Sequence, residues 1–214
     1  MACLFCFSGD KLSPNERKGK YGDIWGQYAD NEETFKVKLC SAPCAEPCCW
    51  MGSMVCFPCA QYQLRHKVLN HVEPGSGWSN YQCCQGMFGG ICCIQPGKLG
   101  ESNCPQCYMC AEGICCPGMA VSASQAVIMQ RYQLGLDSDD VRLIRCNNCL
   151  QFLACCASCL NLCIDFQGDD AIVTCINLTA DITFCCMSGC MTARVYHEIN
   201  AREKDAPEKY QMER

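Results

Sequence analysis

The chain has 214 residues, enough for one compact domain with tails, and half of them are apolar, so a sizeable core can form. Its formal charge is −5 and its Lys and Arg residues are dispersed. That excludes a nucleic-acid groove, which needs concentrated cationic side chains to displace counterions. The anomaly is cysteine, at 27 residues, an odd number that complete internal pairing cannot satisfy.

Residues 1–47 are charged and turn-rich and read as an N-terminal arm, packed on the rest through Tyr21, Trp25 and Tyr28. Residues 48–121 carry few charges, and their Gly and Pro residues punctuate the cysteine clusters. Such a composition predicts a loop-rich cysteine region interrupted by one short helix over Ala60–Asn70. Residues 122–204 read as helical. Ser122 and Gln125 form a capping box, the helix behind it stops at Gly135, and a second begins near Ser138 with Asp139 and Asp140 at its positive end. That second helix is expected to run to about Phe166. Gln167-Gly168 breaks it, Asp169-Asp170 open a third, and residues 205–214 form a polar tail. The expected fold is mainly α: a loop-rich cysteine region followed by about three helices, the last two a long antiparallel hairpin.

The charge pattern of that hairpin is informative. No Lys or Arg lies between Arg145 and Arg194, while Asp165, Asp169 and Asp170 gather at the turn. Arg142, Arg145 and Arg194 are expected to meet at the other end. Each apolar arm of about 20 residues spans roughly 30 Å, the thickness of a bilayer core. Asn147, Asn148, Gln151, Asn161, Asn177 and Asp181 interrupt the arms, and each is expensive in lipid. Two readings therefore stand: a buried core pair, or a membrane hairpin with its arginines on the cytosolic side.

The N-terminus lacks the charged and apolar regions of a secretory signal, so the chain is expected in the reducing cytosol, on its membrane face if membrane-associated. There disulfides rarely persist, and C-x2-C spacing points to metal. The expected thiolate ligands of a zinc ion are Cys44, Cys48, Cys49, Cys56, Cys59, Cys104, Cys107, Cys110, Cys115 and Cys116. Adjacent pairs such as Cys83-Cys84 are expected to send only one sulfur toward any one ion. His66, His71 and His197 lack metal-ligand spacing and read as packing or surface residues. The run C-x2-C-x2-C-x4-C-C-P from Cys104 approaches the ferredoxin pattern but has one residue too many before its fourth cysteine, which disfavours an iron–sulfur cluster. Cys149, Cys156 and Cys163 recur every seven residues and read as a packing seam. Cys3 and Cys6, set among Leu4, Phe5 and Phe7, are candidates for S-palmitoylation.

CCWMGSMVCFPCAQYQ, from Cys48, resembles the centre of the placenta-specific-eight cysteine-rich family, which includes the plant cadmium-resistance and cell-number-regulator proteins. Phe57 departs from that family's Cys-Pro-Cys. A second block, Arg131-Tyr132-x-Leu134, an acidic spacer and Cys146-x2-Cys149-x-Gln151, is similar to a later family block. The resemblance implies a small membrane-associated protein with a tendency to bind soft metals, and it supplies no catalytic residue.

No G-x-S-x-G, H-E-x-x-H or phosphate-binding glycine loop is present, so no enzymatic activity is expected. The leading expectation is a non-catalytic, zinc-stabilised cysteine-rich module that contacts a membrane surface or a hydrophobic protein partner. A membrane protein that binds or passes divalent metal, with Asp181 as its intramembrane acid, is the alternative. A cytoskeletal or assembly scaffold shares the same sequence features.

Overall fold

The structure, a computed structural model, describes residues 10–11, 25–87, 95–163 and 170–205. Cys3, Cys6, Tyr21, Cys92 and Cys93, the turn acids Asp165 and Asp169, and the tail beyond Asp205 lie outside the described residues. Among the described residues the fold is all helix with no named strand, as the sequence leads one to expect. The helices are α1 (Ala42–Ala45), α2 (Pro47–Val55), α3 (Phe57–Val72), α4 (Pro105–Cys115), α5 (Pro117–Tyr132), α6 (Ser138–Cys163) and α7 (Asp170–Asp205). The described residues form two compact units, those of 137–187 with 10–11 in one and those of 25–136 with 188–205 in the other, so that α7 contributes to both.

In the larger unit, helices replace the expected loops. Pro47, Pro105 and Pro117 each stand first in a helix and Pro58 stands second in α3. Proline at that position loses nothing, because its missing N–H would be unpaired there, and its fixed φ is already helical. Glu46, Cys104 and Cys116, each directly before a proline, adopt a non-helical backbone, the kind of conformation proline imposes on its predecessor, and Cys56, two residues before Pro58, is non-helical as well. Helix α5 accordingly begins at Pro117 rather than at Ser122, and Ser124 and Gln125 are buried inside it.

Helix α5 ends with Gln133 in the left-handed region at φ 53° and Leu134 N–H returning to the Met129 carbonyl at 2.9 Å. Gly135, the expected stop, has a different task. Its N–H donates to the Glu33 carbonyl at 2.6 Å, and a Cβ there would strike the Asn31 carbonyl. This contact brings the arm against the core, where Tyr28 and Phe35 are buried with Leu64, Val68, Ile128, Met129, Val195 and Ile199. Tyr28 Oη donates to the Ala126 carbonyl at 3.3 Å. Arg194, expected at the base of the hairpin, is buried with its guanidinium 4.1 Å from the Phe35 ring centre.

The smaller unit is the antiparallel hairpin. Asp137 and Asp140 cap the start of α6 reciprocally: Asp140 N–H donates to Asp137 Oδ1 at 2.8 Å, and Asp137 N–H to Asp140 Oδ2 at 3.1 Å. Gln151 Nε2 on α6 donates to the Ala180 carbonyl on α7 at 3.1 Å, and Asn177 Nδ2 donates to Ser158 Oγ at 3.3 Å. As the number rises along α6 its partner's number falls along α7, which fixes the antiparallel sense.

Candidate functional site

The expected zinc ligands do not gather at one point. Cys56 and Cys59, at the start of α3, are joined as a disulfide, as are Cys104 and Cys107 at the start of α4. Thiolates were expected at all four. The backbone explains the pairing: the position before a helix and the third position within it lie on one side of the first turn, with Cα atoms 5.4 and 5.5 Å apart, inside the span of a disulfide. Cys44, Cys48, Cys110 and Cys115 are exposed, and Cys49 and Cys116 are partly buried. The ferredoxin-like run from Cys104 winds through the single helix α4 and ends at Cys116, just before α5.

One group of expected ligands does share a space. A cleft of about 390 Å³ is lined by Glu46, Cys48, Cys49 and Cys59, with Gln63 and Tyr196. Glu46 Oε1 lies 3.2 Å from His197 Nδ1. Burial, then the Glu46 charge, raise the Cys49 thiol to about 11, with Lys67 acting weakly the other way. At neutral pH Cys49 is therefore a thiol, and only a bound cation would make it a good thiolate. The other histidines serve packing: His71 Nε2 is 2.6 Å from Tyr132 Oη, and His66 lies against Trp78.

The tightest constellation is one the sequence reading passed over. Cys83 and Cys84 lie in the 3-10 turn Cys83–Gly86, and their sulfurs lie within 4.8 Å of each other and of a Glu112 oxygen from α4. Among the described residues no other group of three or more metal-ligating side chains comes this close. Glu112 is buried and heavily supported. Arg65 Nη2 of α3 donates to Oε1 at 2.8 Å; Tyr81 Oη and the Cys84 N–H donate to Oε2 at 2.8 and 2.9 Å. Arg65 also donates through Nε to Ser124 Oγ at 3.0 Å and through Nη2 to the Ala120 carbonyl at 2.8 Å.

The electrostatics of this pocket are lopsided. Burial, then the Glu112 carboxylate, push the Cys84 thiol well above its ordinary range, and the same two causes raise Cys83 and Tyr81. Glu101 and Cys116 also act on Cys83, and Cys83 N–H donates to Glu101 at 3.4 Å. The Glu112 carboxylate, paired with the Arg65 guanidinium, thus also faces the Cys83 and Cys84 thiols. The signal that could have found this site was Glu112 itself, a carboxylate set in the apolar, thiol-rich run MCAEGICC.

In the hairpin, Phe152, Leu153, Ile172, Leu178 and Ile182 are exposed, Leu178 by 58%. The polar side chains that would be costly in lipid are partly withdrawn from the surface: Gln151, Ser158 and Asn177 bond across the helix pair. Thr179 and Thr183 hydroxyls donate to the carbonyls of Cys175 and Thr179, at 2.7 and 2.8 Å. Asp181 is exposed at mid-helix. Ala171–Asp205 is the one described helix long and apolar enough to cross a membrane, with only 11% of its most apolar window buried. Set against protein-family models, curated proteins and solved structures, the chain matches none.

Proposed function

We propose that the chain is a non-catalytic, zinc-stabilised cysteine-rich module held on a membrane by the α6–α7 hairpin. The observation that carries this reading is the exposure of Phe152, Leu153, Ile172, Leu178 and Ile182 on the hairpin while Gln151, Ser158 and Asn177 bond across the helix pair. Water favours the opposite arrangement, and an exposed apolar face of this kind is the mark of a lipid or partner contact. Lipid requires polar groups to find partners within the protein. Threonine hydroxyls bonded to their own helix meet the same demand. Membrane association is also what the resemblance of the Cys48–Cys59 block to the placenta-specific-eight family implies. The full chain is expected to float with neutral phosphatidylcholine vesicles in high salt, where electrostatic adsorption is screened. Protein left at the bottom of that gradient overturns the reading.

A second reading, the handling of soft divalent ions, is favoured by the cleft that holds the free thiols of Cys48 and Cys49 beside Glu46. In it, Asp181 is the acid along the ion path, since an ionisable residue within a membrane helix is functional by default. Cadmium entry into proteoliposomes should then be abolished in Asp181→Ala. Equal entry in the variant and the parent removes Asp181 from any path.

A further inference from the structure

Neighbouring residues in a regular helix or strand project in diverging directions, so an adjacent Cys-Cys pair does not ordinarily offer both sulfurs to one ion. Cys84 and Gln85 escape this rule because both occupy the left-handed region, at φ 49° and 50°. Two consecutive non-glycine residues in that region carry a cost of order 1 kcal/mol or more each, and such strain persists only where surrounding interactions hold it. Here it turns both sulfurs toward Glu112.

We infer that Cys83, Cys84 and Glu112 are ligands of one structural zinc ion. This deepens the zinc-stabilised part of the proposed function and rests on it, but it moves the ion away from the helix-start cysteines. Sulfurs about 2.3 Å from a tetrahedral zinc lie about 3.8 Å apart, so ligand atoms already within 4.8 Å close on an ion through shifts of under about 1 Å each. The carboxylate retains capacity for a metal: its two oxygens have about four acceptor positions, and three donors are in place. Those donors are themselves a feature of metal sites, where outer groups fix the orientation of each ligand. Tyr81 and Arg65 would do so for Glu112. Zinc suits the mixture of sulfur and one carboxylate oxygen and needs no redox partner.

The test is metal analysis on full-length protein purified with reductant in detergent. One zinc per chain is expected in the parent and in Cys48→Ser/Cys49→Ser, with at least ~10-fold less in Cys83→Ser/Cys84→Ser. Because those thiols are part of the core, two measurements avoid their loss. X-ray absorption at the zinc edge of the parent should report sulfur at about 2.3 Å together with oxygen at about 2.0–2.2 Å. Tyr81→Phe, which leaves every ligand in place, should weaken zinc binding about 10–100-fold. Zinc that stays in Cys83→Ser/Cys84→Ser but leaves Cys48→Ser/Cys49→Ser overturns this assignment alone and places the ion in the cleft. An all-sulfur shell also overturns it. A parent that neither contains nor takes up zinc overturns the zinc-stabilised function with it. Vesicle flotation is independent of all these outcomes.

Discussion

Arg65→Met is expected to destabilise the larger unit by about 3–5 kcal/mol, the usual consequence of leaving one partner of a buried ion pair alone. The Arg65 and Glu112 side chains are 0% and 1% exposed, so solvent cannot take over either charge. The loss extends beyond one contact. Arg65 on α3 ties Glu112 on α4 to Ser124 and the Ala120 carbonyl on α5, so its removal strips acceptors on two neighbouring helices of their donor. At about 2–4 °C per kcal/mol for a chain of this size, the melting temperature should fall by roughly 6–20 °C. Arg65→Lys should recover little, because an ammonium cannot reproduce the guanidinium fork. Arg65→Met combined with Glu112→Gln should recover part of the loss, because the uncompensated charge is gone. A single variant as stable as the parent in thermal denaturation would show that the pair holds nothing together.

The second large effect belongs to the hairpin. Leu178→Arg/Ile182→Arg places two cations where the structure shows two half-exposed apolar side chains one helical turn apart. On a water-facing surface such changes are worth within about 0.5 kcal/mol each. Facing hydrocarbon, arginine costs about 2.5–3.5 kcal/mol at a helix centre, and the favourable contribution of Leu or Ile is lost as well. The pair should therefore oppose insertion by about 5–8 kcal/mol, and the variant should remain at the bottom of a vesicle flotation gradient that lifts the parent. Flotation unchanged by both arginines would mean that this face of α7 never meets lipid.

The hairpin was legible because its signals are local and redundant. A long span without Lys or Arg, acids gathered at the break and an acidic cap before Val141 all point one way, and α6 and α7 begin at Ser138 and Asp170. The cysteine region was harder, because proline has two meanings. Within a helix it breaks the ladder, but at the first turn it starts one, and the Pro residues at 47, 58, 105 and 117 all have the second role. Read as punctuation they suggest loops; read with the cysteine or glutamate one or two residues before them they mark four helix starts.

The thiol sites divide the same way. C-x2-C spacing identified sulfurs that come together, but placing both of them on the first turn of one helix pairs them with each other. The Cys83-Cys84 pair was discounted on a rule that holds for regular backbone and fails at a left-handed residue, which the sequence does not announce without glycine. Glu112 comes from 28 residues farther along than Cys84, and only packing of α4 against the turn brings it there. Such long-range convergence is the part of a site that periodicity and spacing cannot encode.

The membrane assignment is tested most directly by alkaline carbonate treatment of membranes from cells that express the full chain. Sheet opening at high pH releases proteins held by charge or by contact with other proteins, and it retains those whose side chains lie in hydrocarbon. The account predicts that the chain stays in the pellet and leaves only with detergent. Recovery of the chain in the carbonate supernatant contradicts it, and would make the exposed face of Phe152, Ile172, Leu178 and Ile182 a contact for protein instead.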